Sequence, residues 1–158
     1  KQVYKVKKKL IFLLILVAFL GLAYRIQSAK NVPVESIEKS MAKELKSQKL
    51  NKCVDQDLVH FIEIDPSSTK GYIYYKSPEA LSVDELLIVK ASDRNKLNNF
   101  RDSVDKRIQS QLKIFEGYGP KQVAALKNAL IIQKGTYLLY YVGDDGQKIE
   151  EVFRNAVQ

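Results

Sequence analysis

The pattern of apolar and polar positions separates one long apolar run from a series of shorter periodic segments. Leu10 to Tyr24 is a run of fifteen uncharged, strongly apolar residues behind a cluster of lysines. As a helix, it would span about 22 Å, short of the roughly 30 Å hydrocarbon core of a bilayer unless flanking Lys and Arg side chains reach the interface. The run also has the length of a signal-peptide core, and Gly21-Leu22-Ala23 fits a cleavage site. Membrane tether and cleaved signal both predict export.

Apolar residues at spacings of three and four predict the helices that follow. Val34, Ile37, Met41 and Leu45 form one stripe, with Ser36 as the expected N-cap. A long helix capped by Ser92 or Asp93 carries a stripe over five turns: Leu97, Phe100, Val104, Ile108, Leu112 and Phe115.

Two further helices are indicated near the end of the chain. Gly117 can end the long helix in a left-handed conformation, and Pro120 can begin a short one. A last helix is expected after Asp144 or Asp145. Its apolar face contains Ile149, Val152, Phe153 and Ala156.

Three segments have the composition of strands. They are "GYIYYK" (71–76), "DELLIVKA" (84–91) and "NALIIQKGTYLLYYVG" (128–143), the last a hairpin around Lys134-Gly135. The near-continuous apolar run of the second favours a central strand covered on both faces for part of its length. The order predicts an α+β fold with a single antiparallel sheet of about four strands, built from two β-β-α units with helices packed on one face. The expected organisation is a transmembrane anchor or signal over 1–30, a helical lead-in over 31–54, and an α+β extracytoplasmic domain over 55–158.

The net charge of +8 belongs to the N-terminal segment. Residues 1–30 contain seven Lys and Arg and no acid, which leaves 19 basic and 18 acidic residues in 31–158. A nucleic-acid partner is therefore not expected, because it requires a concentrated basic face on the folded domain. Lysines before the apolar run favour a cytoplasmic N-terminus. The rest of the chain is then expected outside the cytoplasm, in single-pass topology or secreted after cleavage.

Residue types that usually supply catalysis or metal binding are scarce. Cys53 is the only cysteine and His60 the only histidine, which excludes an intramolecular disulfide and a metal site built from cysteines. The loop "DDGQKIEE" lacks the calcium-binding Glu, because Val152 stands six residues after Gly146. A Gly-rich phosphate loop and a nucleophile elbow are also missing. We therefore predict no catalytic residue, metal or cofactor.

Two polar residues in apolar surroundings are candidates for a site. Glu85 opens an apolar strand and, if it points inward, needs a partner such as Arg107 or Lys90; otherwise it is a solvated strand end. Tyr118 lies between two glycines, either as a corner residue with its ring packed and its hydroxyl bonded nearby, or held out for a ligand. Alternation places Tyr72 and Tyr74 on one strand face and Tyr75 on the other.

Several short motifs occur in the order found in a bacterial family. They are the Ile64-Asp65 step, the acid in "DELLIVKA", the Arg107 to Gln111 spacing, "YGPKQ" and "NALIIQKGTYLLYYV". With these, roughly residues 55–157 resemble the domain-of-unknown-function family 4358. The resemblance implies a small exported or lipid-anchored protein and no known activity. Lys121 departs from the family, in which an acid often follows the proline.

The expected function is that of a membrane-tethered, non-catalytic module that binds a protein or cell-wall component of the bacterial envelope. The candidate binding residues are Glu85, Arg107, Gln111 and Tyr118. The alternative is a hydrolase-like envelope enzyme. It requires Glu85, Arg107 and Tyr118 to converge on one cleft.

Overall fold

The computed structural model describes residues 2–158, with side chains from Val6 onward, and this part of the chain contains six α-helices. A π-helix over Leu58–Ile62 and a 3-10 turn over Pro66–Ser68 also occur. The α-helices are α1 Gln2–Gln27, α2 Val34–Ser47, α3 Asp55–Asp57, α4 Arg94–Phe115, α5 Pro120–Lys127 and α6 Gly146–Ala156.

Five antiparallel strands form a single sheet in the order β1-β2-β3-β5-β4. The two hairpins, β2–β3 and β4–β5, join through β3 and β5, so β3 is central, as its apolar run predicts. The α+β class and both β-β-α units are confirmed. The strands are β1 Asn51–Lys52, β2 Tyr72–Lys76, β3 Glu85–Lys90, β4 Leu130–Lys134 and β5 Tyr137–Val142.

The fifth strand is a difference from the predicted four. β1 is two residues long and pairs Asn51 with Lys76 and Lys52 with Tyr75 at the edge of the sheet. Both β1 residues are exposed. A strand this short and polar leaves no alternation in the sequence from which it could be predicted.

Helices cover both faces of the sheet, which corrects the expectation that they pack on one face. One core layer contains Tyr74, Leu87 and Tyr140 under α4 and α5. The other contains Ile73 and Ile88 under α2 and α6. The physical reason is that β3 and β5 are apolar at successive positions and are buried on both sides, so each face requires its own cover.

The apolar helix α1 is longer than the run from Leu10 to Tyr24 suggests. Within the described residues, one segment, Val6–Gln27, is long and apolar enough to cross a membrane, a test that a signal sequence also passes. Its 22 residues span about 33 Å. None of its strongly apolar window is buried inside the protein.

The C-terminal end of α1 is hydrogen-bonded to the globular part of the chain. Gly135 N donates to Gln27 O at 2.9 Å, and Lys30 N donates to Val157 O at 2.8 Å. Gly135 occupies the turn between β4 and β5 with a φ of +59°. The hairpin turn and the end of α6 therefore hold the end of α1.

Most predicted helix boundaries agree with the structure. Asp93 caps α4 by accepting a hydrogen bond from Lys96 N at 2.8 Å, and Pro120 is the first residue of α5. The predicted cap of α2 is wrong, because the helix begins at Val34 after Pro33. Proline fixes φ and has no N–H, so Pro33 sets the start of the helix without a side-chain cap.

Candidate functional site

A buried carboxylate is the centre of the candidate site. Glu85 is 1 % exposed although it is the first residue of β3. Its Oε2 accepts a hydrogen bond from the Tyr74 hydroxyl at 2.8 Å, and its Oε1 accepts one from the Tyr140 hydroxyl at 2.8 Å. Glu85 therefore points inward, the alternative that requires partners.

The cationic partner is Arg107 on α4. Arg107 Nε donates to Glu85 Oε1 at 3.1 Å, and Nη2 lies 3.4 Å from Oε2, so the guanidinium faces both carboxylate oxygens. Lys90, the other partner considered, instead donates to Asn31 Oδ1 at 2.5 Å.

Gln111 completes the group one helical turn after Arg107. In the amide orientation that satisfies both neighbours, its nitrogen donates to Glu85 Oε1 at 3.3 Å and its oxygen accepts from Arg107 Nη2 at 2.8 Å. Gln111 is 6 % exposed. We call Glu85, Arg107, Gln111, Tyr74 and Tyr140 the Glu85 cluster.

Sheet register explains why the two tyrosines meet Glu85. Glu85 pairs with Lys76 on one side and with Val142 on the other. Tyr74 and Tyr140 stand two residues from those partners, so they are diagonal neighbours of Glu85 on the same face. A tyrosine side chain is long enough to bridge that diagonal. Residues four apart share a helix face, so α4 presents Arg107 and Gln111 together to this point.

The electrostatics of the cluster favour neutral tyrosines beside the Glu85–Arg107 pair. Burial, and then the negative charge of Glu85, raise the pKa of both Tyr74 and Tyr140 well above the ordinary value of 10.0. Burial acts to lower the pKa of Arg107, but the opposing charge of Glu85 outweighs it and the pKa is raised. Both hydroxyls therefore remain donors at neutral pH.

The outer side of Arg107 is covered by an aromatic ring. The Phe61 ring centroid lies 5.1 Å from Arg107 Cζ, and the ammonium of Lys76 lies 4.7 Å from the same centroid. Cations over ring faces are attracted by the ring quadrupole. Phe61 thus separates the cluster from solvent on the side of the π-helix.

The Glu85 cluster is suited to holding structure together rather than to reacting. The carboxylate accepts five contacts from four side chains. General acid or base catalysis needs a carboxylate within hydrogen-bond reach of substrate, and these contacts occupy Glu85. What the cluster does is fix α4 against β3 and β5.

Tyr118 is not part of this cluster. Its side chain is 62 % exposed, and its ring packs at a tilt against Phe115 with 5.6 Å between centroids. Among the described residues, none is hydrogen-bonded to its hydroxyl, so the hydroxyl contact expected of a corner residue is wrong. The structure brings together Glu85, Arg107 and Gln111 but leaves Tyr118 at the surface.

The turn that carries Tyr118 depends on both glycines. Gly117 has a φ of +91°, as a left-handed end to α4 requires. Gly119 is needed for space, because a Cβ there would lie 2.7 Å from Phe115 Cδ1. The Gly119 N–H donates to Phe115 O at 2.9 Å. The chain thereby turns from α4 into α5 while Phe115 stays in the core.

The other candidates for chemistry are separate from the cluster. Cys53 is half-buried, and burial raises the pKa of its thiol from 9.0 to about 11. His60 lines an open depression of about 540 Å³ with Asp55 and Asp65. No three His, Cys, Asp or Glu side chains within the described part of the chain are placed to hold a metal ion together.

Sequence reasoning identified three of the five cluster members and missed Tyr74 and Tyr140 as ligands of Glu85. The alternation of side chains along β2 already assigned Tyr74 to one face of that strand. The face shared by Glu85 and the two tyrosines follows only from the strand order, because β5 pairs with β3 across a long connection.

The residues of the Glu85 cluster lie inside a segment that matches a known protein family. The model described as "Domain of unknown function (DUF4358)" matches residues 43–143. The chain belongs to this family. The DUF4358 match starts and ends earlier than the resemblance over 55–157 suggested, and it contains the whole sheet, α4, α5 and the Glu85 cluster. Searches of the curated proteins and of the solved structures return no significant match.

Proposed function

We propose that this DUF4358 protein is a membrane-tethered extracytoplasmic module that binds a protein or another component of the bacterial cell envelope and catalyses no reaction. The observation that carries the proposal is α1. Its segment Val6–Gln27 is long enough to span a bilayer, and its apolar window is not buried in the protein. A continuous apolar surface of this size is stable only in apolar surroundings.

The non-catalytic part of the proposal is supported by the Glu85 cluster. A hydrolase-like enzyme requires Glu85, Arg107 and Tyr118 to meet in one cleft. Glu85 is instead closed in by protein partners, and Tyr118 lies at the surface with its ring on Phe115. The geometry therefore favours the binding module over the envelope enzyme.

Exposed apolar side chains near the α4–α5 corner support the binding part. Ile114 is 56 % and Leu81 67 % exposed, in addition to Tyr118. Gln122 Nε2 donates to Leu81 O at 3.1 Å, which holds the loop containing Leu81 beside α5. Tyrosine and other large apolar residues are typical of binding faces. We call Leu81, Ile114 and Tyr118 the corner face.

The buried candidate residues Glu85 and Gln111 can affect the corner face only by positioning α4. Glu85 and Gln111 cannot touch a partner, because they are 1 % and 6 % exposed. They fix α4 on the sheet, and α4 carries Ile114 at its C-terminal end. Of the four predicted binding residues, Tyr118 is therefore the one proposed to contact a partner.

Labelling of single cysteines in bacterial cells tests the location. In a Cys53→Ser background, Lys106→Cys on exposed α4 should react with a membrane-impermeant maleimide in intact cells. Lys8→Cys, before the apolar run, is the matched control and should react only after lysis. The protein should also remain in the membrane pellet after carbonate extraction. Labelling of Lys106→Cys only after lysis would refute the extracytoplasmic topology, and carbonate release would refute the tether.

Site-specific photocrosslinking tests the corner face. A photoreactive amino acid at position 118 should give a discrete crosslinked product in membranes, and the same amino acid at exposed Gln109 should not. Ile114→Ser with Leu81→Ser should remove the product without changing the unfolding midpoint. Equal products from positions 118 and 109 would show that the corner face is not a specific contact.

A further inference from the structure

A cavity of about 830 Å³ lies where α1 ends against the globular domain. Among the described residues, four basic side chains line it and no acidic side chain does. They are Arg25, Lys30, Lys134 and Arg154. Leu22 and Ile26, from the last turns of α1, line the same cavity and make it apolar on the helix side.

None of the described residues that line this cavity is an acid that could neutralise Lys134. The residue as a whole is 4 % exposed, but its ammonium, which is hydrogen-bonded to no described residue, keeps some contact with solvent. Burial and the positive charge of Arg154 lower the pKa of Lys134. Arg154 is itself paired, with its Nε 2.7 Å from Glu150 Oε1. An anion placed close to both Lys134 and Arg154 would offset the repulsion between these two cations.

The height of the cavity matches that of lipid head groups if the chain is tethered as proposed above. The apolar run ends at Tyr24, and Arg25 follows directly. Tyrosine and arginine at the end of a spanning helix are typical of the membrane–water interface. The cavity includes both residues, so its cations lie at the level of the lipid phosphates and its apolar wall lies at the level of the first methylenes.

Charge is segregated along the sheet in the same direction. A neighbouring depression beside the end of α1 is lined by Lys30, Lys70 and Lys90. At the opposite end of β3, burial raises the pKa of Asp84, with smaller contributions from the charges of Asp144 and Glu79 and against a hydrogen bond with Ser82 that lowers it. Lysines are thus grouped beside the end of α1, and three acids, Asp84, Asp144 and Glu79, lie near the opposite end of β3.

We infer that this cavity is a binding site for the phosphodiester head group of an anionic phospholipid of the phosphatidylglycerol class. Lys134 and Arg154 bind the phosphate from the domain side, and Arg25 and Lys30 bind it from the linker side. The acyl chains run along Leu22 and Ile26 on α1. The inference rests on the proposed tether and adds lipid selectivity to it.

Native mass spectrometry of the full chain released from lipid nanodiscs tests this inference. The discs contain phosphatidylcholine alone or mixed with phosphatidylglycerol. Wild type should retain phosphatidylglycerol in preference to phosphatidylcholine. Lys134→Gln with Arg154→Gln should weaken retention about 25-fold, at roughly fivefold for each cation removed. Lys106→Gln with Lys113→Gln, on exposed α4, removes the same charge as a matched control and should leave retention unchanged.

A conservative variant separates loss of the site from loss of the fold. Lys134→Arg keeps the charge and should retain phosphatidylglycerol within about threefold of wild type. Equal retention by wild type and by the Lys134→Gln, Arg154→Gln variant would overturn the inference while leaving the tether intact. Failure of the chain to enter discs of either composition would overturn the tether and the lipid site together. Displacement of the lipid by soluble glycerol phosphate, with equal binding in detergent, would assign the site to free phosphates instead.

Discussion

The guanidinium of Arg107 lies against the carboxylate of Glu85 inside the protein, with Arg107 Nε 3.1 Å from Glu85 Oε1. The two residues come from different elements, the middle of α4 and the first position of β3. The side chain of Glu85 is 1 % exposed and that of Arg107 is 12 % exposed. This pair connects the helix layer to the central strand by charge as well as by packing.

Removal of one partner should be costly. Arg107→Met leaves the Glu85 carboxylate buried without its cation, and we expect the free energy of unfolding to fall by about 3–5 kcal/mol. Combining it with Glu85→Leu should recover much of that loss. Chemical denaturation measures the free energy of unfolding of the single and the double variant. Arg101→Met is the matched control, because Arg101 pairs with Asp105 at the surface, where such pairs contribute about 0–1 kcal/mol. Equal losses from the two single variants would contradict the role of the buried pair.

Alkaline pH should destabilise the fold through two tyrosines. Burial, followed by the charge of Glu85, raises the pKa of Tyr74 and Tyr140 above 10.0. The folded state therefore favours the protonated hydroxyls, and this stabilisation is complete below pH 10 and is lost as the pH rises further. Each should add a slope of about 1.4 kcal/mol per pH unit. Tyr74→Phe with Tyr140→Phe should flatten the denaturation profile above pH 10, and Tyr118→Phe serves as the control. An unchanged slope in the Tyr74→Phe, Tyr140→Phe variant would contradict the contribution of these two tyrosines.

Cys53 should react slowly with alkylating reagents. Its thiol pKa is raised from 9.0 to about 11, mainly by burial, and the thiolate is the reacting form. The rate with iodoacetamide at pH 8 should be about 100-fold below that of the denatured chain. Time-resolved alkylation in the presence and absence of denaturant gives this ratio. Similar rates in the two states would mean that the thiol is accessible and its pKa ordinary.

The two glycines of the corner should respond to alanine for different reasons. Gly117→Ala meets no atom within 4 Å but keeps a φ of +91°, which costs about 1 kcal/mol. Gly119→Ala places a Cβ 2.7 Å from Phe115 Cδ1, and overpacking of this kind costs about 1–3 kcal/mol. In thermal unfolding, Gly119→Ala should therefore have a lower midpoint temperature than Gly117→Ala. The reverse order would mean that Phe115 moves aside freely.

Tyr118→Phe should leave stability unchanged within about 0.5 kcal/mol, because the exposed side chain has no hydrogen bond to lose within the described structure. Under the proposed function, Tyr118→Ala should weaken partner binding without lowering the unfolding midpoint. Differential scanning calorimetry and the crosslinking yield are the two measurements. A fall in midpoint with unchanged binding would return Tyr118 to a purely structural role.

The helices were predictable because their signals are local. Leu97, Phe100 and Val104 recur at helical spacing on α4, and Asp93 and Gly117 mark its ends. The two hairpins could be predicted for the same reason, since each lies within one stretch of sequence. The prediction that failed was that all the helices pack on one face of the sheet. Whether α2 lies on the same face as α4 depends on how β3 pairs with β5, and a contact over that separation leaves no periodic signal.

The candidate site also contains residues that local sequence could predict and residues that depend on tertiary packing. Glu85 was notable because a carboxylate in an apolar strand requires a partner, and Arg107 was among those named. Tyr118 was chosen for its position between two helices, which fixes the backbone but not the direction of the side chain. The exposure of Tyr118 and the role of Tyr140 both depend on tertiary packing.

The hydrogen bonds from Gly135 to Gln27 and from Lys30 to Val157 have a mechanical consequence. If α1 spans the membrane as proposed, these hydrogen bonds make the sheet follow the orientation of α1, whereas a flexible linker would let the domain rotate freely. A change in the tilt of α1 would swing the corner face through an arc. The direction in which the protein presents that face would then vary with the thickness of the bilayer around it.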